Sequence, residues 1–388
     1  MTLISATGQG ASLDGREAAI QATRQALEQL GKKTAAFAIV AASHHYQFSQ
    51  ILSGITPLLG DTPLLGFSTA AELSPQGMTR RSVVVSLFSG DELQASTDWW
   101  PGFDKDSQEA TQKMAQALHV GEVEGTLLVI AEGLNGDVQE LCENLPAGSY
   151  QLVGGLAGGD LRRGKTSQMG GKKAGSGGIA AAFLTGEAAI GIGCSHAWQP
   201  IGPYFTVTGT LGHHVTTLDN LPAHESYARM LGYAPQDWTT PPLNELARLY
   251  PLGLEQEGQS RLLIRSPLRI EVDGSLWMNT GIPTGSVGHL MIGGIESCLD
   301  TAAITTRHAL GIIGEAKPVL ALVLADVSYQ MQLEAQPGSD LEAIRAVLGP
   351  QVPVIGGYTF GQIRKNYTGV PELANQHITV IVFGEKNP

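Results

Sequence analysis

An arrangement of helix, apolar strand, helix and glycine-containing strand occurs three times along the 388-residue chain, and each copy closes with another apolar strand. The first copy is predicted to comprise helix 14–31, strand 36–41, helix 47–59, strand 63–69 and strand 82–88. The second is predicted to comprise helix 106–119, strand 126–131, helix 136–144, strand 151–157 and strand 179–184. The third is predicted to comprise helix 297–310, strand 319–324, helix 339–348, strand 352–359 and strand 377–383. Such self-similarity means that related structural units build the fold.

Short apolar strands between helices are typical of sheets whose two faces are both covered. The pattern therefore predicts an α/β fold with mixed sheets, made of three related α/β units arranged as two packed lobes. The stretch Thr185-Gly186-Glu187 joins two apolar strands and indicates a hairpin, which would add antiparallel pairing.

A segment of different character, residues 209–296, separates the second and third copies. It has helical patterns at 222–231 and 243–249, and Val272-Asp273-Gly274 is a hairpin signal. We therefore predict two domains. The first, 1–208, holds two α/β units, and the second, 209–388, holds an irregular and β-rich insert followed by the third unit.

Composition excludes several classes of protein. Hydrophobic residues make up 43% of the chain and charged residues 15%, which excludes a chain that is disordered throughout. The 24 Lys and Arg against 36 Asp and Glu give a net charge of −12, which disfavours nucleic acid and anionic membranes as partners. Three scattered cysteines do not form a disulfide framework. With no leader-like N-terminus and no apolar run of about 18 residues, we expect a cytoplasmic protein without membrane insertion.

Four short motifs follow one another in a characteristic order. They are Gly-Gly-Leu-Ala-Gly-Gly-Asp at 154–160, Gly-Cys-Ser-His-Ala-Trp-Gln-Pro-Ile-Gly-Pro at 193–203, Tyr-Pro-Leu-Gly-Leu at 250–254 and Gly-Gly-Tyr-Thr-Phe-Gly-Gln-Ile at 356–363. Their order and spacing resemble the FIST proteins, in which a FIST N-domain precedes a FIST C-domain. The resemblance extends from about residue 35 to residue 385.

The resemblance implies a sensory protein rather than an enzyme. FIST domains are associated with histidine kinases, chemoreceptors and cyclic-di-GMP enzymes, and are proposed to bind small ligands such as amino acids. A chain with no output domain of its own would signal through a separate partner, such as a histidine kinase. A similar subset, the NosP-like proteins, binds haem and senses nitric oxide. One departure is that the last motif usually ends in Gly-Glu, whereas here Gln362 follows Gly361. If relatives use that glutamate to bind a cationic ligand group, this chain lacks it for amino-acid recognition.

The loops at the strand ends are the predicted ligand site. Gly66, Gly155 and Gly357 occupy equivalent points of the three units, which favours a shared backbone conformation. Loops at strand ends are also where α/β proteins bind ligands. The predicted ligand-binding residues, expected to face a common cleft, are Ser68, Thr69, Gly155, Asp160, Tyr358, Thr359 and Gln362. Asp160 is the only carboxylate among them, so we expect it to bind a polar ligand group.

Candidate iron ligands lie at two places. Cys194 and His196 are two residues apart, which on a strand puts both on one face, and thiolate and imidazole are both axial ligands of haem. His45, in His44-His45-Tyr46 after the first strand, is a further candidate. The alternatives are a buried cysteine with a hydrogen-bonded histidine, and a hydrolase in which Cys194 or Ser195 acts with His196. The hydrolase would need an orienting carboxylate, and the sequence places none nearby.

Residues 159–166 match the GxxxxGK[ST] pattern of nucleotide-binding loops. That chemistry needs a helix directly after the loop, and the glycine-rich residues 167–178 do not allow one. We therefore predict a surface loop here. Its basic side chains would also suit a docking patch for a partner or an anionic ligand, and they are Arg162, Arg163, Lys165, Lys172 and Lys173.

Overall fold

The structure is a computed structural model, and it describes residues 3–91, 93–160, 162, 164–256, 258 and 261–386. The first repeat consists of β1 (Ile4–Gly10), α1 (Gly15–Leu30), β2 (Phe37–Ser43), α2 (Phe48–Leu59), β3 (Leu64–Thr69), β4 (Glu72–Ser74), β5 (Gly77–Thr79) and β6 (Val83–Ser89). The second consists of β7 (Gln94–Pro101), α3 (Ser107–Ala117), β8 (Gly125–Ala131), α4 (Val138–Asn144), β9 (Tyr150–Leu156), β10 (Gln168–Gly170), β11 (Lys173–Gly175) and β12 (Gly178–Thr185).

The third repeat begins with β13 (Ala189–Ser195) and is interrupted by a long insert. The insert consists of β14 (Gln199–Leu211), β15 (His214–Leu218), β16 (Leu221–Pro222), α5 (Ala223–Leu231), a 3-10 helix (Pro235–Thr239), α6 (Leu243–Leu246), a second 3-10 helix (Ala247–Leu249), β17 (Leu252–Leu254), β18 (Leu263–Arg265), β19 (Pro267–Ile270), β20 (Leu276–Met278) and β21 (Val287–Ile292). The repeat resumes with α7 (Ile295–Ile313), β22 (Lys317–Asp326), α8 (Val327–Gln332), α9 (Ser339–Leu348), β23 (Val354–Thr359), β24 (Gly361–Lys365), β25 (Pro371–Ala374) and β26 (Ile378–Glu385).

The three repeats share one strand topology. In each, the first strand pairs antiparallel with the last, the last pairs antiparallel with the second, and the second pairs parallel with the third. The resulting orders are β1-β6-β2-β3, β7-β12-β8-β9 and β13-β26-β22-β23. The predicted α/β class with mixed sheets and the threefold repetition are therefore confirmed.

Each repeat also gives strands to the sheet of another repeat. The hairpin β4–β5 of the first repeat extends the third sheet at β23, and β10–β11 of the second repeat extends the first sheet at β3. The pair β24–β25 of the third repeat extends the second sheet at β9. The exchange is cyclic, so each sheet has six strands, and none is complete without a neighbouring repeat.

A shared apolar core lies among the three sheets, because their central strands are buried on both faces. Each repeat contributes fully buried side chains to this one cluster, among them Ile39 and Phe67 from the first, Ile130 and Val153 from the second, and Leu322 and Ile355 from the third. The helices cover the outer faces. In the first repeat the alanine-rich face of α1 packs on β1 and β6.

Local signals explain the helix boundaries. The Asp14 side chain accepts a hydrogen bond from the Glu17 N–H at 2.8 Å, as the sequence pattern predicted for the start of α1. Gly31 ends the helix with φ +70°, a conformation that suits glycine. The hairpin predicted at Val272-Asp273-Gly274 is also present, between β19 and β20.

Two features differ from the sequence-based expectations. The hairpin expected at 185–187 is absent, because β12 pairs with β7 and β8 whereas β13 pairs with β26. The first two repeats also open with strands that the sequence analysis did not predict, β1 and β7, whereas the opening strand of the third repeat, β13, was predicted as the apolar strand after residues 185–187. These strands lie at the edges of their sheets, where side chains need less apolar character.

The chain divides into two compact units. The large unit is formed by Met1–Ser195, Leu299–Leu373 and His377–Pro388, and the small unit by His196–Cys298 and Ala374–Gln376. The small unit has its own core, in which Tyr227 packs edge-on against Trp238. The domain division predicted after residue 208 falls within β14 and stays a prediction.

Candidate functional site

The ends of β3, β9 and β23 meet in the large unit, and we call the residues 68–70, 156–158 and 358–360 the strand-end junction. Three backbone hydrogen bonds form a ring there, from Ala70 N to Tyr358 O at 2.9 Å, from Gly158 N to Ser68 O at 2.7 Å and from Phe360 N to Leu156 O at 3.0 Å. Each repeat donates one bond and accepts one. The ring is a direct consequence of the cyclic exchange of strands.

Gly158 shows how closely the three backbones approach. A Cβ atom added there would lie 2.1 Å from the Tyr358 carbonyl oxygen, nearer than atoms can come without displacement. Glycine is therefore required for a close approach, although its φ is not in the left-handed region. This explains one glycine of the 154–160 motif in physical terms.

The structure brings most of the predicted ligand-binding residues to this junction and buries them. Ser68, Thr69, Tyr358, Thr359 and Gln362 have no exposed surface. The Ser68 hydroxyl donates to Gly158 O at 2.8 Å, and the Thr359 hydroxyl donates to Ala325 O at 3.2 Å.

Gly155 is likewise buried, and a Cβ atom there would lie 2.9 Å from Gly361 O. Gly155 and the buried residues of the junction hold the strand ends together. Asp160 alone among the predicted set is partly exposed, and its Oδ1 accepts a hydrogen bond from Arg162 N at 2.9 Å.

A buried carboxyl group that the sequence analysis missed belongs to Glu72. It accepts hydrogen bonds from the Thr69 hydroxyl at 2.9 Å and from Ser82 N at 2.8 Å. Burial raises the pKa of Glu72 to about 7, although its hydrogen bonds act in the opposite direction. An alignment of the first and third repeats would have identified Glu72, because Ala71-Glu72 occupies the place of Gly361-Gln362.

Gln362 occupies the corresponding place in the third repeat. Its Nε2 donates to the Thr359 hydroxyl at 3.1 Å, and its Oε1 accepts from His377 N at 3.1 Å. Glu72 contacts the same two groups, a threonine hydroxyl and the N–H that precedes the last strand, but it accepts from the threonine hydroxyl where Gln362 donates to it. The amide at 362 therefore supports the backbone without a charge.

In the second repeat Glu132 accepts the equivalent N–H. Its Oε2 accepts from Gly177 N and its Oε1 from Thr166 N, both at 2.9 Å. Glu132 is almost fully buried. The three repeats thus use a Glu, a Glu and a Gln for one purpose, which is to pair a buried backbone N–H at the start of the last strand.

A partly exposed rim borders the junction on one side. His44 N donates to Thr69 O at 3.2 Å, its Nδ1 lies 3.1 Å from the same oxygen, and its ring contacts the exposed His45 ring at 4.1 Å between centroids. A Cβ on Gly159 would lie 3.3 Å from the His44 Cβ, so the loop that carries Asp160 runs against this turn. The rim, residues 44, 45, 159 and 160, therefore places the two histidines beside the residue that precedes Asp160.

The nucleotide-binding interpretation of residues 159–166 is excluded, as predicted, because the next regular element is the strand β10 rather than a helix. Residues 161 and 163, including the basic Arg163, lie outside the described residues. Lys172 pairs with Asp61, and Lys173 pairs with Asp98 at 2.6 Å. Both ion pairs are largely exposed, so they contribute little to stability.

Two protein-family models match most of the chain. The FIST N domain matches residues 36–221 and the FIST C domain matches residues 223–365. This chain belongs to the FIST family. FIST domains are small-ligand sensor domains of signal transduction, and the resemblance seen in the four sequence motifs is thereby confirmed.

Comparison with individual proteins adds no argument about function. Among solved structures, T. maritima PurL complexed with FGAR aligns at 11% identity and a TM-score of 0.24, over 100% of this chain and 73% of that one. PurL complexed with ATP aligns over the same shares at 11% identity, with a TM-score of 0.23. Both scores are too low to support a shared fold. No curated protein matches this FIST chain.

Cys194 of this FIST protein lies on β13, in the large unit. Burial raises the pKa of its thiol, against the opposing effect of Arg364. A neutral thiol is a poor nucleophile and a poor metal ligand. His196 follows the end of β13, so it does not share a strand face with Cys194 as predicted. It lies in the small unit, where its Nδ1 accepts a hydrogen bond from Trp198 N at 3.3 Å.

Haem needs an iron ligand beside an apolar slot. The His45 ring contacts the His44 ring, and His45 N donates to the Ser43 hydroxyl at 3.4 Å. The exposed imidazole of His45 is of the type that ligates haem iron, and haem binding stays a prediction. Among the described residues no group of three His, Cys, Asp or Glu side chains is arranged to hold a metal ion. No described helix has the length and apolar character needed to cross a bilayer.

Proposed function

We propose that this FIST protein is a cytoplasmic sensor that binds a small molecule and signals through a separate partner, such as a histidine kinase. The observation that carries the proposal is that the two sensory family models together span residues 36–221 and 223–365. A sensor of this kind must bind its ligand with different affinity in two conformations, because equal affinity shifts no equilibrium.

The first specific ligand we propose is an amino acid or a similar small metabolite at the rim. Asp160 supports this proposal, because it is partly exposed and lies on the loop that runs against the His44 turn. A carboxylate at an accessible edge suits a cationic ammonium group. The buried Gln362 takes no part in this recognition, since its amide is bonded to the backbone, so the missing glutamate does not count against an amino-acid ligand.

The second is haem with nitric oxide as the signal, for which His45 is the accessible imidazole and His196 and Cys194 are the other predicted ligands. The exposure of His45 supports it, because an accessible imidazole can ligate iron.

The hydrolase alternative has no such support. Burial raises the pKa of the Cys194 thiol and so keeps it protonated. His196 Nδ1 accepts from Trp198 N, whereas in a hydrolase this nitrogen would donate to an orienting carboxylate.

The test is a thermal-unfolding screen of the full chain with amino acids, followed by a titration with hemin. A ligand at 100 times its Kd raises the free energy of unfolding by about 2.7 kcal/mol and so raises Tm. We expect Asp160→Asn to abolish the Tm rise caused by an amino acid, and Asp300→Asn, an exposed carboxylate on α7, to leave it unchanged.

For haem the readout is a stoichiometric Soret band that shifts when nitric oxide is added. His45→Ala and His196→Ala are compared with His308→Ala, an exposed histidine on α7. Loss of the band in one of the first two variants alone assigns the ligand. If neither hemin nor any amino acid changes Tm or the spectrum, both ligand proposals fail.

A further inference from the structure

A cavity of about 320 Å³ lies in the large unit, where β1 of the first repeat approaches the third repeat. It is lined by residues 5–7 of β1, the hairpin turn Pro75-Gln76, the segment Gly349–Val354, Gln29 and Arg345. At about 30 Å³ per water molecule the cavity has room for about ten, which suits a small metabolite. It is separate from the strand-end junction, with which it shares no residue.

The walls of this cavity are conformationally restricted. Pro75, Pro350 and Pro353 belong to the lining, and each proline ring fixes its own φ. Gly349 ends α9 with φ +85°, and its N–H bonds to Arg345 O at 2.9 Å. A site whose walls are already ordered loses little conformational entropy when a ligand binds.

The charge of the lining is positive although the chain is acidic. Arg345 is the one charged residue among the lining residues, whereas the whole chain has a net charge of −12. Its Nη1 donates to Glu342 and its Nη2 donates to Ser74 O, both at 2.6 Å. The Glu342 side chain is 67% exposed and is not part of the lining. An exposed ion pair contributes little to stability, so a ligand carboxylate can displace Glu342 from the guanidinium at low cost. A guanidinium has five N–H donors in a fork that matches a carboxylate.

The remaining polar groups of the lining suit hydroxyl groups. Gln29, Gln76 and Gln351 have exposed side chains, and each amide both donates and accepts hydrogen bonds. The helices α1 and α9 both end at the cavity, where their last carbonyl groups can accept hydrogen bonds from ligand hydroxyl groups. Helix C-termini carry partial negative charge, so Arg345 is the group of the lining that would attract a carboxylate. The lining contains no aromatic and no acidic residue, so it offers neither a stacking surface nor a counter-charge for a cation.

We propose that this cavity binds a small polyhydroxylated carboxylate of the sugar-acid class. The carboxylate would pair with Arg345, and the hydroxyl groups would exchange hydrogen bonds with the three glutamines. The proposal rests on the role of the chain as a small-ligand sensor, and it names a ligand class and a site other than the rim.

The test is isothermal titration calorimetry of the full chain with gluconate, glucose and acetate. Gluconate carries both features, glucose has the hydroxyl groups without the carboxylate, and acetate has the carboxylate alone. We expect gluconate to bind at least tenfold more tightly than either of the others. Arg345→Gln should weaken gluconate binding at least tenfold, about 1.4 kcal/mol. Arg269→Gln, which removes an arginine of the small unit that stacks on Trp277, should not change it.

Arg345→Gln could also destabilise the fold, because Arg345 Nη2 donates to Ser74 O. A second variant therefore tests the site without this contact. Gln351 has an exposed side chain, so Gln351→Ala should keep the wild-type Tm and lower gluconate affinity about threefold. Equal affinity for glucose and gluconate overturns the proposal, as does unchanged gluconate affinity in both variants. If hemin or an amino acid binds and gluconate does not, the sensor role stands and this site fails. If gluconate binds through Arg345 without affecting any partner, the site stands and the sensor role fails.

Discussion

Replacement of Glu72 by glutamine should stabilise the protein at alkaline pH and leave it unchanged at acidic pH. The side chain is fully buried, and its pKa rises from 4.5 to about 7 in the folded state. Because the folded pKa lies above the unfolded one, the stability linked to this proton is complete below pH 4.5 and is lost as pH rises through 7. At 1.36 kcal/mol per pKa unit, the penalty above pH 7 is about 3 kcal/mol.

The structure supplies the reason that glutamine is a suitable replacement. Gln362, in the corresponding place of the third repeat, accepts a backbone N–H through Oε1 and donates to a threonine hydroxyl through Nε2. Glu72→Gln can make the same contacts with Ser82 N and Thr69. In the variant Oε1 can still accept from Ser82 N and from the Ser82 hydroxyl, and the Thr69 hydroxyl accepts from Nε2 instead of donating. The variant thus keeps these contacts and removes the titrating group.

Urea unfolding of both proteins at pH 5 and pH 8, followed by far-UV circular dichroism, measures the effect. We expect Glu72→Gln to be about 3 kcal/mol more stable than the wild type at pH 8 and nearly equal to it at pH 5. The matched control is Gln362→Glu, which places a second buried glutamate in the chain and should make the loss of stability between pH 5 and pH 8 larger than in the wild type. The reasoning is refuted if the wild type and Glu72→Gln lose the same free energy of unfolding between pH 5 and pH 8.

Three further predictions concern the core and the junction. Leu322→Ala removes a fully buried side chain from the core shared by the three sheets and should cost about 2–5 kcal/mol in chemical denaturation. Tyr358→Phe removes the hydroxyl that donates to both oxygens of the buried Asp340 at 2.9 Å, and should cost about 1–3 kcal/mol at pH 7. Gly158→Ala places a Cβ against the Tyr358 carbonyl oxygen and should lower Tm. The control is Gly164→Ala, where φ is +66° but an added Cβ meets no atom within 4 Å, and it should lower Tm less. Equal losses of Tm in the two variants would contradict the close-approach argument.

The helix caps, the apolar strands and the threefold recurrence were predictable because they depend on residues close together in the chain. Asp14 caps α1 as its position relative to Glu17 predicts. The order of four motifs was sufficient to indicate the FIST family, which the family models confirm. The opening strand β7 was missed because its mixed residues have neither helical nor clear strand periodicity.

The exchange of strands between repeats was not predictable from these patterns. Gly361 pairs with Leu156, about 200 residues away, and local propensity carries no information about such a partner. For the same reason the sequence suggested an open cleft at the strand ends, where the structure has a closed hydrogen-bonded junction. Glu72 and Glu132 were not predicted as buried residues, because a single glutamate in a sequence is most often exposed.

The sequence by itself determined the class of fold, the number of repeats and the family, because hydrophobic periodicity and motif order are local properties of a chain. Only the tertiary structure decided which polar residues support the backbone and which remain accessible to a ligand. Gln362 and Asp160 were both candidate ligand-binding residues in the sequence, yet the first is fully buried and the second is partly exposed. Burial is set by contacts between distant segments, and the function of a polar side chain follows from it.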